Sequence, residues 1–158
     1  MSKILSPITL RAASLTLPAS LATVVGTVST DAANGTSGAV LIGSLSALRL
    51  VCSYARHGSS TTGRPIFAVD VSMDAPSTSP ASVTNWCPIA LLDTSTFTSG
   101  RIDGYAMAYS LAPSGSGTTI HGTPPLDVRG ANWIRVRMAD VDVTNRGAIT
   151  NLAMGGEA

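Results

Sequence analysis

A chain with one lysine (Lys3), one glutamate (Glu157) and no glutamine in 158 residues has little from which to build the solvent face of a helix. Those three residue types are the usual exposed helix formers, so their near absence argues against a helical protein. Ser, Thr, Gly, Ala and Val take their place, and these are residues of strands and turns. The same shortage removes most of the tools of catalysis, and no motif identifies an activity.

Period-two alternation locates the strands. In Ala47–Arg56, Leu48, Leu50, Cys52 and Tyr54 share one face; in Arg64–Met73, Phe67, Val69, Val71 and Met73 do. The loop His57–Gly63 between these runs predicts a β-hairpin. Trp86–Leu92 is a short apolar strand, and Pro88 inside it predicts an edge or a bulge. Tyr105–Leu111 alternates, and Thr118–His121 is a further short strand. Trp133–Met138 alternates most cleanly, with Ile134, Val136 and Met138 on one side and Trp133, Arg135 and Arg137 on the other. Gly147–Met154 is the last strand, ending at Gly155-Gly156. Short strands separated by turn signals every ten or so residues predict an all-β, antiparallel β-sandwich of jelly-roll-like form.

Residues 1–37 read differently. Short apolar pieces are separated by Pro and Ser, and residues 29–38 have turn composition. The expectation is an extended N-terminal arm over 1–37, pairing with the body or with another subunit, followed by a sandwich domain over 38–158. Pro7, Arg11 and Pro18 break the early apolar run, which argues against a signal peptide. No apolar run approaches the roughly 20 residues of a membrane span, so no membrane partner is expected.

Charged residues are 12% of the chain, against roughly 25% in an average soluble protein. Either partners cover much of the surface, or hydroxyls solvate it. Net charge is +1, which leaves no electrostatic footprint for nucleic acid. Nine of the ten basic residues are arginine, whose planar fork suits interfaces. Arg135 and Arg137 beside Trp133 therefore read as a contact patch. Ile8, Leu10, Leu15 and Leu17 are the matching apolar contacts of the arm.

Chemistry has few candidates. Asp140-Val141-Asp142-Val143-Thr144-Asn145 places oxygens at alternate positions, as calcium prefers. The sixth and twelfth positions of that loop hold Asn145 and Asn151 where Gly and Glu are needed, so the stretch reads as a strand end whose side chains cap a turn. His57, His121, Cys52 and Cys87 lack zinc spacing. Cys87, in a Trp-Cys-Pro context, is expected to be a buried thiol like Cys52. No nucleophile elbow or phosphate loop is present. No catalytic residue, metal or cofactor is expected.

The stretch from Asp127 to Met138, Asp-Val-Arg-Gly-Ala-Asn-Trp-Ile-Arg-Val-Arg-Met, followed by Thr144-Asn-Arg-Gly-Ala-Ile-Thr150, resembles tailed-bacteriophage virion proteins. These often carry a Trp-(Ile/Val)-Arg-Val-Arg strand in a β-sandwich. The small-residue N-terminal stretch resembles the arms of capsid cement proteins. The resemblance covers about 30 residues and carries no functional residue over. It implies a non-enzymatic capsid decoration protein on a virion, a homo-oligomer, here a trimer. Its partners would be copies of itself and the major capsid protein or other virion proteins. The alternative is a tail, neck or baseplate sandwich that recognises a receptor or carbohydrate through exposed Trp86, Trp133 or Tyr105.

Overall fold

The computed structural model describes residues 4–11, 14–23, 38–43, 45–93, 118–123 and 125–158. In chain order the strands are β1 (Ile4–Arg11), β2 (Leu15–Thr16), β3 (Ala22–Thr23), β4 (Val40–Leu41), β5 (Ala47–Ala55), β6 (Pro65–Ser72), β7 (Trp86–Asp93), β8 (Thr118–Gly122), β9 (Leu126–Asp127), β10 (Trp133–Asp140) and β11 (Ala148–Glu157). The only helical element among the described residues is a single 3-10 turn, Pro80–Ser82. The first sheet runs β1-β11-β5-β8, with β2 also on β11 and β9 also on β5. The second runs β3-β10-β6-β7, with β4 also on β10. All pairings are antiparallel.

Alternation places one core between the sheets. Leu48, Leu50, Cys52 and Tyr54 of β5 and Ile149, Leu152 and Met154 of β11 meet Phe67, Val69 and Val71 of β6 and Ile134, Val136 and Met138 of β10. Burying each large aliphatic side chain contributes about 1.5–3 kcal/mol. Met73 falls beyond the end of β6 and is exposed.

β5 and β6 do not form the expected hairpin. They lie in different sheets, and residues 56–64 arch across the end of the sandwich. Both arrangements bury the same alternate residues, so the pattern alone cannot separate them. The partners that decide it come from far along the chain: β11 pairs with β5, and β10 pairs with β6.

The described parts of residues 1–37 pair with the body. β1 and β2 lie on β11, and β3 lies on β10. Leu10 and Leu17 enter the common core. The apolar pieces between prolines are thus short strands of the sandwich, built on the same inside-outside rule as the rest.

β7 is the end strand of its sheet among the described residues, and a register shift occurs where Pro88 faces Asp70. β1 behaves alike: its register with β11 jumps between Leu5 and Ile8, around Pro7. Proline has no N–H to give to a ladder, so both positions suit edges and bulges. β11 runs on through Gly155-Gly156 to Glu157. A Cβ on Gly156 would lie 2.8 Å from Leu45 Cδ1, so glycine here makes room for a core leucine. The strand expected at Tyr105–Leu111 lies outside the described residues.

Candidate functional site

The outer face of the second sheet carries the most organised polar cluster. With Ile134, Val136 and Met138 pointing inward, β10 turns Trp133, Arg135 and Arg137 outward. Strand register then sets the neighbours. Arg135 lies opposite Asp70 on β6, Arg137 opposite Ala68, and Trp133 opposite Ser72. Two small residues flank one carboxylate, which leaves space for long side chains to lie across β6.

Asp70 is 1% exposed, and both arginines close over it. Its Oδ2 accepts from Arg135 Nε and Arg137 Nε, each at 2.7 Å, and its Oδ1 accepts from Arg137 Nη2 at 2.9 Å. Charge-assisted bonds of this kind are about twice as strong as neutral ones. Two guanidinium groups on one carboxylate leave the cluster with a surplus positive charge.

The guanidinium of Arg135 reaches past Asp70 to the ring of Trp86, with Cζ 4.6 Å from the ring centroid. Such a contact is worth about 0.5–2 kcal/mol, depending on exposure. The indole N–H of Trp86 donates to the Val83 carbonyl and that of Trp133 to the Ala75 carbonyl, each at 3.1 Å. The segment between β6 and β7 therefore covers this end of the face. Asp74 secures that segment by accepting from the amides of Thr84 and Asn85 and from the Asn85 side chain. Those bonds, the Asn85 side chain first, hold the Asp74 carboxyl below the usual carboxylate range.

Trp133 is 3% exposed, and one face of Trp86 is taken by Arg135. Trp133 thus offers no open ring for a sugar to stack upon, and Trp86, half-buried, has one ring face already taken. Tyr105 lies outside the described residues.

Of the expected arm contacts, Leu10 and Leu17 are buried in this chain's own core and Leu15 packs against it. Ile8 is paired through its backbone with Met154; its side chain lies outside the described set.

At the sandwich end beyond β10, the aspartates act as turn acceptors. Asp140 is 1% exposed; its Oδ2 accepts from the Tyr54 hydroxyl at 2.7 Å and the Gly147 amide at 2.6 Å, and its Oδ1 from the Asp142 amide at 2.9 Å. Asp142 Oδ1 accepts from the amides of Thr144 and Asn145, and its Oδ2 from the Ser60 hydroxyl. These bonds, the Asn145 amide first, lower the Asp142 pKa. Burial, then the bond to Asp140, pushes the Tyr54 phenol far above its ordinary value. Among the described residues, no three of His, Cys, Asp and Glu gather as a ligand set.

His57 Nδ1 accepts from the Ser59 amide within its own turn. An imidazole whose Nδ1 accepts carries its proton on Nε2, so that nitrogen cannot serve as a base in the same state. Ser60 Oγ meanwhile donates to Asp142 directly, 2.6 Å away. The Ser, His and Asp of this corner thus hold a turn and do not line up as a triad.

An open groove of about 490 Å³ lies between the start of β7 and the β9–β10 connection. Its apolar lining includes Val71, Ile89, Val128 and Ala131, and Cys87 lines it too. Cys87 is exposed, contrary to the sequence expectation, because its inward-facing position falls at the open end of the edge strand. Cys52 is buried in the core, and the two cysteines are not joined by a disulfide.

Comparison with protein families, with characterised proteins and with solved structures finds no match to this chain.

Proposed function

We propose that the chain is a non-enzymatic virion structural protein, a capsid decoration or cement subunit that stabilises a shell through contacts with its own copies and with shell proteins. The observation that supports this reading is the strand order. Along the main path of each sheet, β1, β5, β8 and β11 fall in one (β1-β11-β5-β8) and β3, β6, β7 and β10 in the other (β3-β10-β6-β7). Of these eight, only β6 and β7 follow one another within one sheet. This order supports reading the sandwich as a jelly roll, an architecture used by viral capsid and lectin domains. The step from architecture to role is an analogy of fold. Within that analogy the lectin branch is the weaker one, because both tryptophans are already engaged within the chain.

Low charge fits the same reading. A chain with only 12% charged residues suits close packing against protein neighbours. The contacts would not be made by strand addition at β1 or β7, whose edges carry proline and bulges that discourage it.

The reading is tested by light scattering on the full chain, followed by sedimentation with shells that lack their decoration subunit. A cyclic trimer would have a mass of about 48 kDa, three times the 16.0 kDa of one chain. It should bind the shells and raise the temperature at which they break open. A chain that stays monomeric at micromolar concentration and does not sediment with shells overturns the proposal.

A further inference from the structure

We propose that Arg135 of one copy receives the Glu157 carboxylate of a second copy. The inference rests on the homo-oligomeric reading above and names one of its contacts.

Arg135 is held at two points and open at a third. Its Nε is committed to Asp70 Oδ2 at 2.7 Å, and its flat face lies on Trp86 at 4.6 Å. Together these restrict how the guanidinium can turn. Its two Nη atoms have no acceptor among the described residues and are not buried. A fixed fork with a free two-nitrogen side matches the spacing of a carboxylate. A donor ordered beforehand loses less freedom on binding. The surplus positive charge of the Asp70 cluster adds attraction for an anion.

Glu157 is the complementary group. The other carboxylates with described side chains already have partners: Asp70 the two arginines, Asp74 Asn85, Asp127 Arg129, and Asp140 and Asp142 their turn. Glu157 is exposed, and its carboxylate has no partner among the described residues. Gly156 packs against Leu45 of the core, so strand alternation turns Glu157 to the outer face of the first sheet. Arg135 lies on the outer face of the second. The two cannot meet within one sandwich. Between copies they make a heterologous contact, and such contacts close into rings when the rotation permits.

The test is a double-mutant cycle on the full chain, with Arg135→Gln, Glu157→Gln and the pair, read as the dissociation constant from concentration-dependent light scattering. Each single variant should weaken association about tenfold or more, and the double variant should be no weaker than the worse single. A single variant within about twofold of the parent, or effects that multiply in the double variant, overturns the contact. Glu157→Gln lies at an exposed strand end and decides the matter even if Arg135→Gln fails to fold. A parent that is monomeric throughout removes the homo-oligomeric reading, and the contact with it. An oligomeric parent indifferent to Glu157→Gln removes the contact alone.

Discussion

Replacing Asp70 by asparagine tests whether the outer cluster stabilises the fold. The side chain keeps its size and shape but loses the charge that two arginines share. Asp70 is 1% exposed, and it accepts three bonds at 2.7, 2.7 and 2.9 Å. An amide has one acceptor oxygen, so at least one Arg N–H loses its partner, and the two guanidinium groups face each other unneutralised. Breaking a buried ion pair from one side costs about 3–5 kcal/mol. The arginine side chains are 22% and 24% exposed, so water recovers part of that loss. The low end, about 3 kcal/mol, is expected.

Chemical denaturation followed by circular dichroism measures this directly. At about 2–4 °C per kcal/mol for a chain of this size, the melting temperature should fall by about 6–12 °C. The loss should persist in high salt, because buried pairs are screened less than exposed ones. The triple replacement Asp70→Leu, Arg135→Leu, Arg137→Met should recover much of the loss, since an apolar set leaves no orphan charge. A loss from Asp70→Asn below about 1 kcal/mol, or one that vanishes in salt, would show that the cluster behaves as a surface pair and refute the reasoning.

The Tyr54 hydroxyl makes stability fall at high pH. Burial raises its pKa in the folded state, so the unfolded chain releases the proton first, and stability is lost as pH rises above about 10. Tyr54→Phe should cost about 1–2 kcal/mol at neutral pH by depriving Asp140 of a donor, and its alkaline unfolding curve should be shallower than the parent's. A thiol reagent should titrate one cysteine in the native protein and both after denaturation, since Cys87 is exposed and Cys52 is buried; equal rates for the two would contradict the fold. Gly147→Ala would place a Cβ 2.5 Å from the Ala55 carbonyl and the Tyr54 ring, so a loss of about 1–3 kcal/mol is expected from the same denaturation assay.

The strands were legible because their alternation is strict. β5, β6 and β10 send the alternate residues as read into the core, except Met73, which lies past the end of β6 and is exposed, and Pro88 marked an edge and a bulge. Pairing was not legible. Asp70 reads as one more residue of an apolar strand until register brings it opposite Arg135, 65 positions away. Only that juxtaposition turns two arginines and a tryptophan into a cluster with a defined geometry. A lone aspartate inside an otherwise apolar strand was the available signal, since a charge at such a position calls for a partner. Cys87 was misread because an apolar neighbourhood along the chain does not say whether a strand lies at the centre or edge of its sheet.

The distribution of proline argues for how this sandwich meets its neighbours. A subunit that joined others by strand addition would keep straight, hydrogen-bonding edges. Here β1 and β7 carry Pro7 and Pro88, each beside a register shift. The outer face of the first sheet is built otherwise. The row Thr9, Ala153, Val51 and Gly122 runs straight across four strands, with Val51 44% exposed at its centre. Small side chains in register make a flat face, and flat faces pack at about 10 Å from a facing sheet. At β1 and β7 the edges discourage an added strand, and with a face that accepts a layer this favours assembly by stacking. Inserting an arginine at Val51 should then weaken association while leaving the denaturation midpoint of the single chain near the parent's; an unchanged oligomer would place the contacts elsewhere.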